Sequence, residues 1–179
     1  MSIDVVWFKR DLRLRDHPPL SAAIAQGRRL LLLYCFEPGL LEDPHYRTRH
    51  WRFVWQSLQN MRTALAREGA DLLVTQGDPV QVLAALHDEF GLHTVYSHEE
   101  TGLEITHDRD RAVRNLCDNA QITWREYASN GVTRGRRNRR GWNRAWEARM
   151  RAPLVEPELG AARYLYPAQV TSATALTVE

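Results

Sequence analysis

Charged side chains crowd the stretch Val6–Pro19, VWFKRDLRLRDHPP, more densely than a plain turn needs. An apolar run ending at Phe8 passes straight into Lys9, Arg10, Asp11, Arg13, Arg15 and Asp16, then into a proline pair able to open a helix. Cations beside a carboxylate offer hydrogen bonds and ion pairs to a polar ligand. At the carboxyl end of a first strand, such a loop lies where open parallel sheets bind their ligands. Other groups gather at comparable places. Cys35, Phe36, Glu37 and Pro38 close a second apolar run. Arg47, Arg49, His50, Trp51 and Phe53 open a long helical pattern, and His98, Glu99 and Glu100 follow a fourth run. A pocket built from these has aromatic walls and mixed charge, which suits a flat, polar, aromatic ligand. No Ser/His/Asp or Cys/His set and no acid–base pair of carboxylates stands out, so no catalytic residue is expected. The glycine-rich dinucleotide fingerprint and the phosphate loop are both missing. The histidines lack metal-ligand spacing, so no metal site is expected.

Several of these residues carry a second reading. Asp11 and Arg13 can pair and cap backbone groups within their loop. Trp51 and Trp55 fall on the apolar stripe of their helix, which favours core over ligand wall. His98-Glu99-Glu100 also reads as a solvated loop.

The elements that must position these groups alternate strand and helix. Strands are expected at 3–8, 29–36, 72–76, 93–97 and 122–127, and helices at 18–25, 46–68, 79–90 and 103–119. Trp51, Trp55, Leu58, Met61 and Leu65 share one face of the long helix. The next helix is expected to bury Val80, Leu83, Leu86 and Phe90, and the last one Val113, Leu116 and Cys117. Such alternation implies an α/β fold, a three-layer Rossmann-like domain whose parallel sheet has the order 3-2-1-4-5. Residues 1–130 form this domain. Residues 131–179 read as an Arg-rich segment followed by linker, with Trp142, Trp146 and Met150 spaced for a short amphipathic helix.

The chain of 179 residues carries a formal net charge of +2, which conceals a segregation. Residues 134–151 hold arginines at 134, 136, 137, 139, 140, 144, 149 and 151 against the single acid Glu147. Contact with nucleic-acid phosphates and a surface facing another domain are the two readings of that segment, the second favoured. Cys35 and Cys117 are expected as buried free thiols in a cytoplasmic protein. No leader and no membrane span is expected.

VWFKRDLRLRDHPPL resembles the opening motif of the photolyase/cryptochrome family. YCFEP (34–38), RHWRFVWQSLQNMRTAL (49–65), LLVTQGDPVQVL (72–83) and VYSHEETGLEITHDRDRAV (95–113) are similar to further blocks of that family, in the same order. The resemblance covers about residues 3–127. It implies the N-terminal α/β domain of a deoxyribodipyrimidine photolyase-like protein, a DNA-repairing carbon–carbon lyase. In such proteins a helical C-terminal domain binds FAD and the damaged DNA. This chain is expected to stop in the linker, with that domain as its partner and with weak or no DNA binding of its own.

The same resemblance implies an antenna site for methenyltetrahydrofolate, a deazaflavin or FMN. Lys9 and Arg10 would contact polar or phosphate groups, Cys35, Phe36 and Glu37 would bound the ring, Arg49 and Phe53 would close the pocket, and Glu100 would accept hydrogen bonds. Asp11 and Arg13 would hold the loop. The residues around His107 depart from the pattern of folate-type relatives, and NRRGWNRAW replaces the family's more aromatic stretch. A cryptochrome-type photoreceptor domain, a docking domain with an empty pocket and a stand-alone nucleotide-binding module are the alternatives.

Overall fold

The computed structural model describes residues 2–132, 134, 135, 138–174 and 176. Arg136 and Arg137 of the basic segment lie outside the described residues. The elements follow in the order β1 (Ile3–Phe8), α1 (Pro18–Ile24), β2 (Arg29–Phe36), α2 (Pro38–Leu41), α3 (Thr48–Ala66), β3 (Leu72–Gln76), α4 (Pro79–Phe90), β4 (Leu92–His98), α5 (Glu104–Asn119), β5 (Thr123–Tyr127), α6 (Trp142–Met150) and β6 (Arg163–Tyr164). The five long strands are parallel and stand in the order β3-β2-β1-β4-β5, as the alternation implies.

β1 and β2 are covered on both faces, which is why they read as apolar runs, broken in β1 only by the buried Asp4. The strand period of two then sorts their side chains. Val5, Trp7, Leu31, Leu33 and Cys35 join Leu83 and Leu86 of α4 and Val113 and Cys117 of α5 in one core. Val6, Phe8, Leu30, Leu32, Tyr34 and Phe36 join Leu20 of α1 and Leu58, Met61 and Leu65 of α3 in the other. Cys35 and Cys117 are buried and unbridged. The inner face of α4 differs from the expected one: Val82 is buried with Leu83 and Leu86, while Val80 and Phe90 are only partly covered. Asp78 fixes that helix start by accepting a hydrogen bond from the Val80 amide at 2.8 Å.

The expected linker instead lies along the sheet. β6 pairs in parallel with the first residues of β2, Arg29↔Arg163 and Leu30↔Tyr164, in the space below the start of β3. Leu165 and Val170 are buried, and the Leu176 amide reaches the Val74 carbonyl on the outer side of β3 at 2.7 Å. The tail thus covers part of an edge that would otherwise present unpaired backbone groups. Among the described residues, no helix is long and apolar enough to cross a membrane.

Candidate functional site

The carboxyl ends of β1 and β2, the loop after β4 and the first turns of α3 and α5 enclose a cavity of about 470 Å³. One wall is aromatic. Tyr46 and Trp51 lie with ring centroids 4.9 Å apart, and His45 from the loop before α3 and His50 from its first turn border the same cavity. Phe53 stands at the rim, 67% exposed. The opposite side is polar and almost fully charge-paired.

Arg109 organises that polar floor. Its guanidinium reaches Glu37 at 2.5 Å, Asp110 at 2.8 Å and Glu100 at 3.3 Å, and it lies over the Trp7 ring with its carbon 4.9 Å from the centroid. Lys9 Nζ donates to the other oxygen of Asp110 at 3.2 Å and sits above Trp7 and Trp124. Glu100 also accepts the amides of Thr101 and Gly102 at 2.9 and 2.8 Å, which curls the β4–α5 loop round its carboxylate. Burial raises the Glu37 carboxyl above its usual range against the pull of Arg109, and burial lowers the Lys9 ammonium against the pull of Asp110. Burial also pushes the Cys35 thiol up, so it stays a neutral part of the wall and not a nucleophile.

Beneath the loop, a second cluster fixes its shape. Asp11 Oδ1 accepts the Lys9 amide at 3.0 Å, and Oδ2 accepts from His17 Nε2 and His98 Nδ1, each at 2.7 Å. Burial opposes ionisation of Asp11, but the two histidine hydrogen bonds outweigh it and hold the carboxyl well below the usual range. His17 Nδ1 accepts the Leu20 amide at 3.0 Å and so caps α1. That bond leaves the proton of a neutral His17 ring on Nε2, facing Asp11. The Asp11, His17 and His98 side chains lie close enough to ligate an ion. The tautomer of His17 makes them a hydrogen-bonded carboxylate, since its Nε2 offers no lone pair to a metal. The histidines are therefore less scattered than their spacing implies, though not as ligands.

Lys9, Arg10, Cys35, Glu37, Phe53 and Glu100 all border the cavity. Lys9 turns its ammonium to Asp110, so its reach toward a phosphate gives way to holding the floor. Phe36 is not in the cavity wall. It packs under α3, where Trp51 and Trp55 each lie 6.0 Å from it, centroid to centroid, while Tyr34 on the same face of β2 borders the cavity. Arg49 is also outside the wall; its Nε approaches His50 Nε2 at 3.4 Å on the exposed side of α3. Arg13 and Asp11 take separate partners, Arg13 donating to the carbonyls of Arg15 and Asp16. Arg109, Tyr46 and His45 also border the cavity, and of these only Arg109, in the Arg-Asp pair of α5, lies within a family-like block, the one at 95–113.

The family model for DNA photolyase matches residues 4–158. A cryptochrome DASH from Synechocystis is 37% identical over 123 residues, an alignment covering 66% of this chain and 24% of that protein. The chain therefore spans about a quarter of the length of the curated relatives it matches. The crystal structure of a Synechocystis cryptochrome superposes with a TM-score of 0.68 at 30% identity, over 74% of this chain and 28% of that one. An archaeal photolyase from Sulfolobus tokodaii, crystallised with two FAD molecules, shares the fold over 94% of this chain and 39% of its own, with a TM-score of 0.74 and 20% identity. The sheet order, the charged loop after β1 and a match that runs almost from the start of β1 through α6 agree, and the chain belongs to the DNA photolyase family.

Proposed function

We propose that this chain is the light-harvesting part of a longer photolyase- or cryptochrome-type flavoprotein, and that its cavity binds an antenna chromophore. The observation that carries this reading is the cavity itself: about 470 Å³ between the Tyr46/Trp51 wall and the neutralised Arg109 floor. That volume falls in the range of about 300–1,000 Å³ usual for small-molecule sites. An aromatic wall takes a planar ring by stacking. Glu37, Glu100 and Arg109 at the opposite side meet its polar edge, and Arg10 lies across the mouth with Nη2 donating to Tyr46 Oη at 2.8 Å.

The Sulfolobus tokodaii protein, whose structure is described as implying a novel light-harvesting cofactor, supports the same use of the fold. The chain itself performs no bond-breaking step in this reading. It orients the chromophore and shields it from water, and the excitation passes to FAD in a helical partner domain. Repair of pyrimidine dimers by the whole protein, or light sensing of the cryptochrome kind, follows downstream of that transfer. Buried free thiols suit a reducing compartment such as the cytoplasm.

Fluorescence titration of the 179-residue chain with FMN, a deazaflavin and methenyltetrahydrofolate tests the proposal. Saturable binding of one of them, weakened about five- to twelvefold by Trp51→Ala, is expected from the loss of a stacking surface worth about 1–1.5 kcal/mol. Failure of all three to saturate sinks the antenna reading.

A further inference from the structure

Two loops carry charged groups of the cavity rim: the one after β1, with Lys9 and Arg10, and the one after β4, with Glu100. α6 and its flanks are tied to both. On one side Trp146 packs so closely on Gly131 that a Cβ there would overlap the ring, and Arg149 donates to the Ala128 carbonyl. The same stretch holds the β4–α5 loop: Asn130 Nδ2 donates to Thr101 Oγ1 at 3.2 Å, and Arg134 Nε to the Glu100 carbonyl at 2.7 Å. On the other side Val155 and Glu156, shortly after α6, hold the β1–α1 loop. The Val155 carbonyl accepts the His17 amide at 2.8 Å, the Val155 amide donates to Asp16 Oδ1 at 3.1 Å, and Glu156 pairs with Arg15 at 3.1 Å. His17 continues the hold inward. Its Nε2 meets Asp11 at 2.7 Å, and Asp11 accepts the Lys9 amide at 3.0 Å.

We propose that α6 is a clamp on the cavity, its helix and the ligand-holding positions of the two loops each stabilising the other. This rests on the chromophore reading of the cavity and adds its regulation: a partner that covers α6 tightens chromophore binding without touching the ligand. The length of the element carries the argument. As a helix the nine residues of α6 span about 13 Å, at about 1.5 Å per residue, and the ties on its two sides then fix one loop relative to the other. Unwound, the same residues reach about 30 Å, at about 3.3–3.6 Å per residue, and leave each loop independent of the other. None of the nine is buried, so α6 owes its order to these contacts and has an unwound state within reach. The loops also keep bonds of their own, Asp11 to the Lys9 amide and Glu100 to the Thr101 and Gly102 amides. The coupling therefore belongs at the low end of the usual range of about 5- to 150-fold.

The test weakens the helix without touching a tie or the cavity. Ala145 and Ala148 are both exposed on α6, and glycine at each lowers helix formation about fivefold. FMN, a deazaflavin and methenyltetrahydrofolate are titrated by fluorescence into the whole chain and into the Ala145→Gly/Ala148→Gly variant. The compound that saturates the parent should bind the variant about three- to tenfold more weakly, with the melting temperature of the domain unchanged. Linkage is reciprocal, so the same compound at saturation should slow hydrogen exchange of the α6 amides in the parent by a comparable factor. A purely structural role for α6 would not produce that second effect. Equal affinity of parent and variant, or α6 exchange that ignores the ligand, overturns the clamp and leaves the chromophore reading standing. If none of the three compounds binds, the chromophore reading falls, and the clamp is decided in the ligand-free chain by the His17 amide, whose acceptor is the Val155 carbonyl. Exchange there that is severalfold faster in the variant supports a hold on the loops, and unchanged exchange overturns it.

Discussion

Asp11 shows how a ligand-facing loop is made rigid by a single side chain. Its carboxylate takes one backbone and two imidazole hydrogen bonds in a site almost closed to water. Asp11→Asn replaces a charged acceptor by an amide whose single oxygen cannot serve both the histidines and the Lys9 amide, and should cost about 3 kcal/mol in urea unfolding at pH 7, the scale of charge-assisted hydrogen bonds. The sign with pH follows from the lowered carboxyl. Its stabilisation is complete above the unfolded value of about 3.9 and is lost as pH falls toward the folded one. The gap between parent and variant should therefore hold from about pH 8 to 5 and shrink below about pH 4. Gly102 offers a gentler perturbation. A Cβ there would stand 2.6 Å from the Arg10 guanidinium, the far end of a flexible side chain. Gly102→Ala should leave the fold stable within about 0.5 kcal/mol, since only a surface side chain must move. It should change chromophore affinity severalfold, because Arg10 is displaced from the mouth. Unchanged affinity in that titration would mean that Arg10 plays no part in closure.

At the level of elements, what was legible in the sequence is what repeats with a period. β1 to β5 and the helices α1, α3, α4 and α5 announce themselves by apolar spacing, and their boundaries follow within a residue or two. The resemblance of Val6–Pro19 to a family motif likewise placed the loop that borders the cavity. The wall itself was less legible. Because β2 is apolar throughout, its period of two is hidden, and Phe36 reads as a neighbour of Cys35 although it packs on the other face. The Asp11–His98 contact joins residues 87 positions apart, and no local spacing encodes it. The tail was illegible for the opposite reason: its anchoring depends on isolated residues, with no periodicity. Leu165, 1% exposed at the end of β6, is the main anchor. Leu165→Ala should cost about 2–4 kcal/mol, as for other buried leucines, and the loss should appear in the same cooperative unfolding transition as the sheet. A cost below about 0.5 kcal/mol in a denaturant melt would show that the tail is only draped on the domain.

On the scale of the whole molecule, charge is balanced inside and segregated outside. The cavity floor pairs its cations and carboxylates almost one for one, so a neutral or weakly charged ring loses little on entering. The basic excess lies in residues 134–151, tied to the domain by Arg134, which bonds the Glu100 carbonyl at 2.7 Å and Glu126 at 3.1 Å, and by Arg149 on the Ala128 carbonyl. Between these ties α6 has no buried residue: Trp142 and Trp146 stack on each other at 6.3 Å, and both remain about 40% exposed. Nine residues are too few for an independent helix in water, where stable isolated helices need about 12–15. Local stability should therefore fall steeply along the chain. In native-state hydrogen exchange, the amides of β1, β2 and β4 should open only with global unfolding, and those of α6 should exchange within about 1–2 kcal/mol of an unfolded peptide. A helical partner domain that covers the Trp142/Trp146/Met150 stripe would raise α6 protection at least tenfold and leave the central strands unchanged. Protection of α6 equal to that of β1 in the chain alone would mean that arginine tethers and the tryptophan stack suffice, and that this face needs no partner.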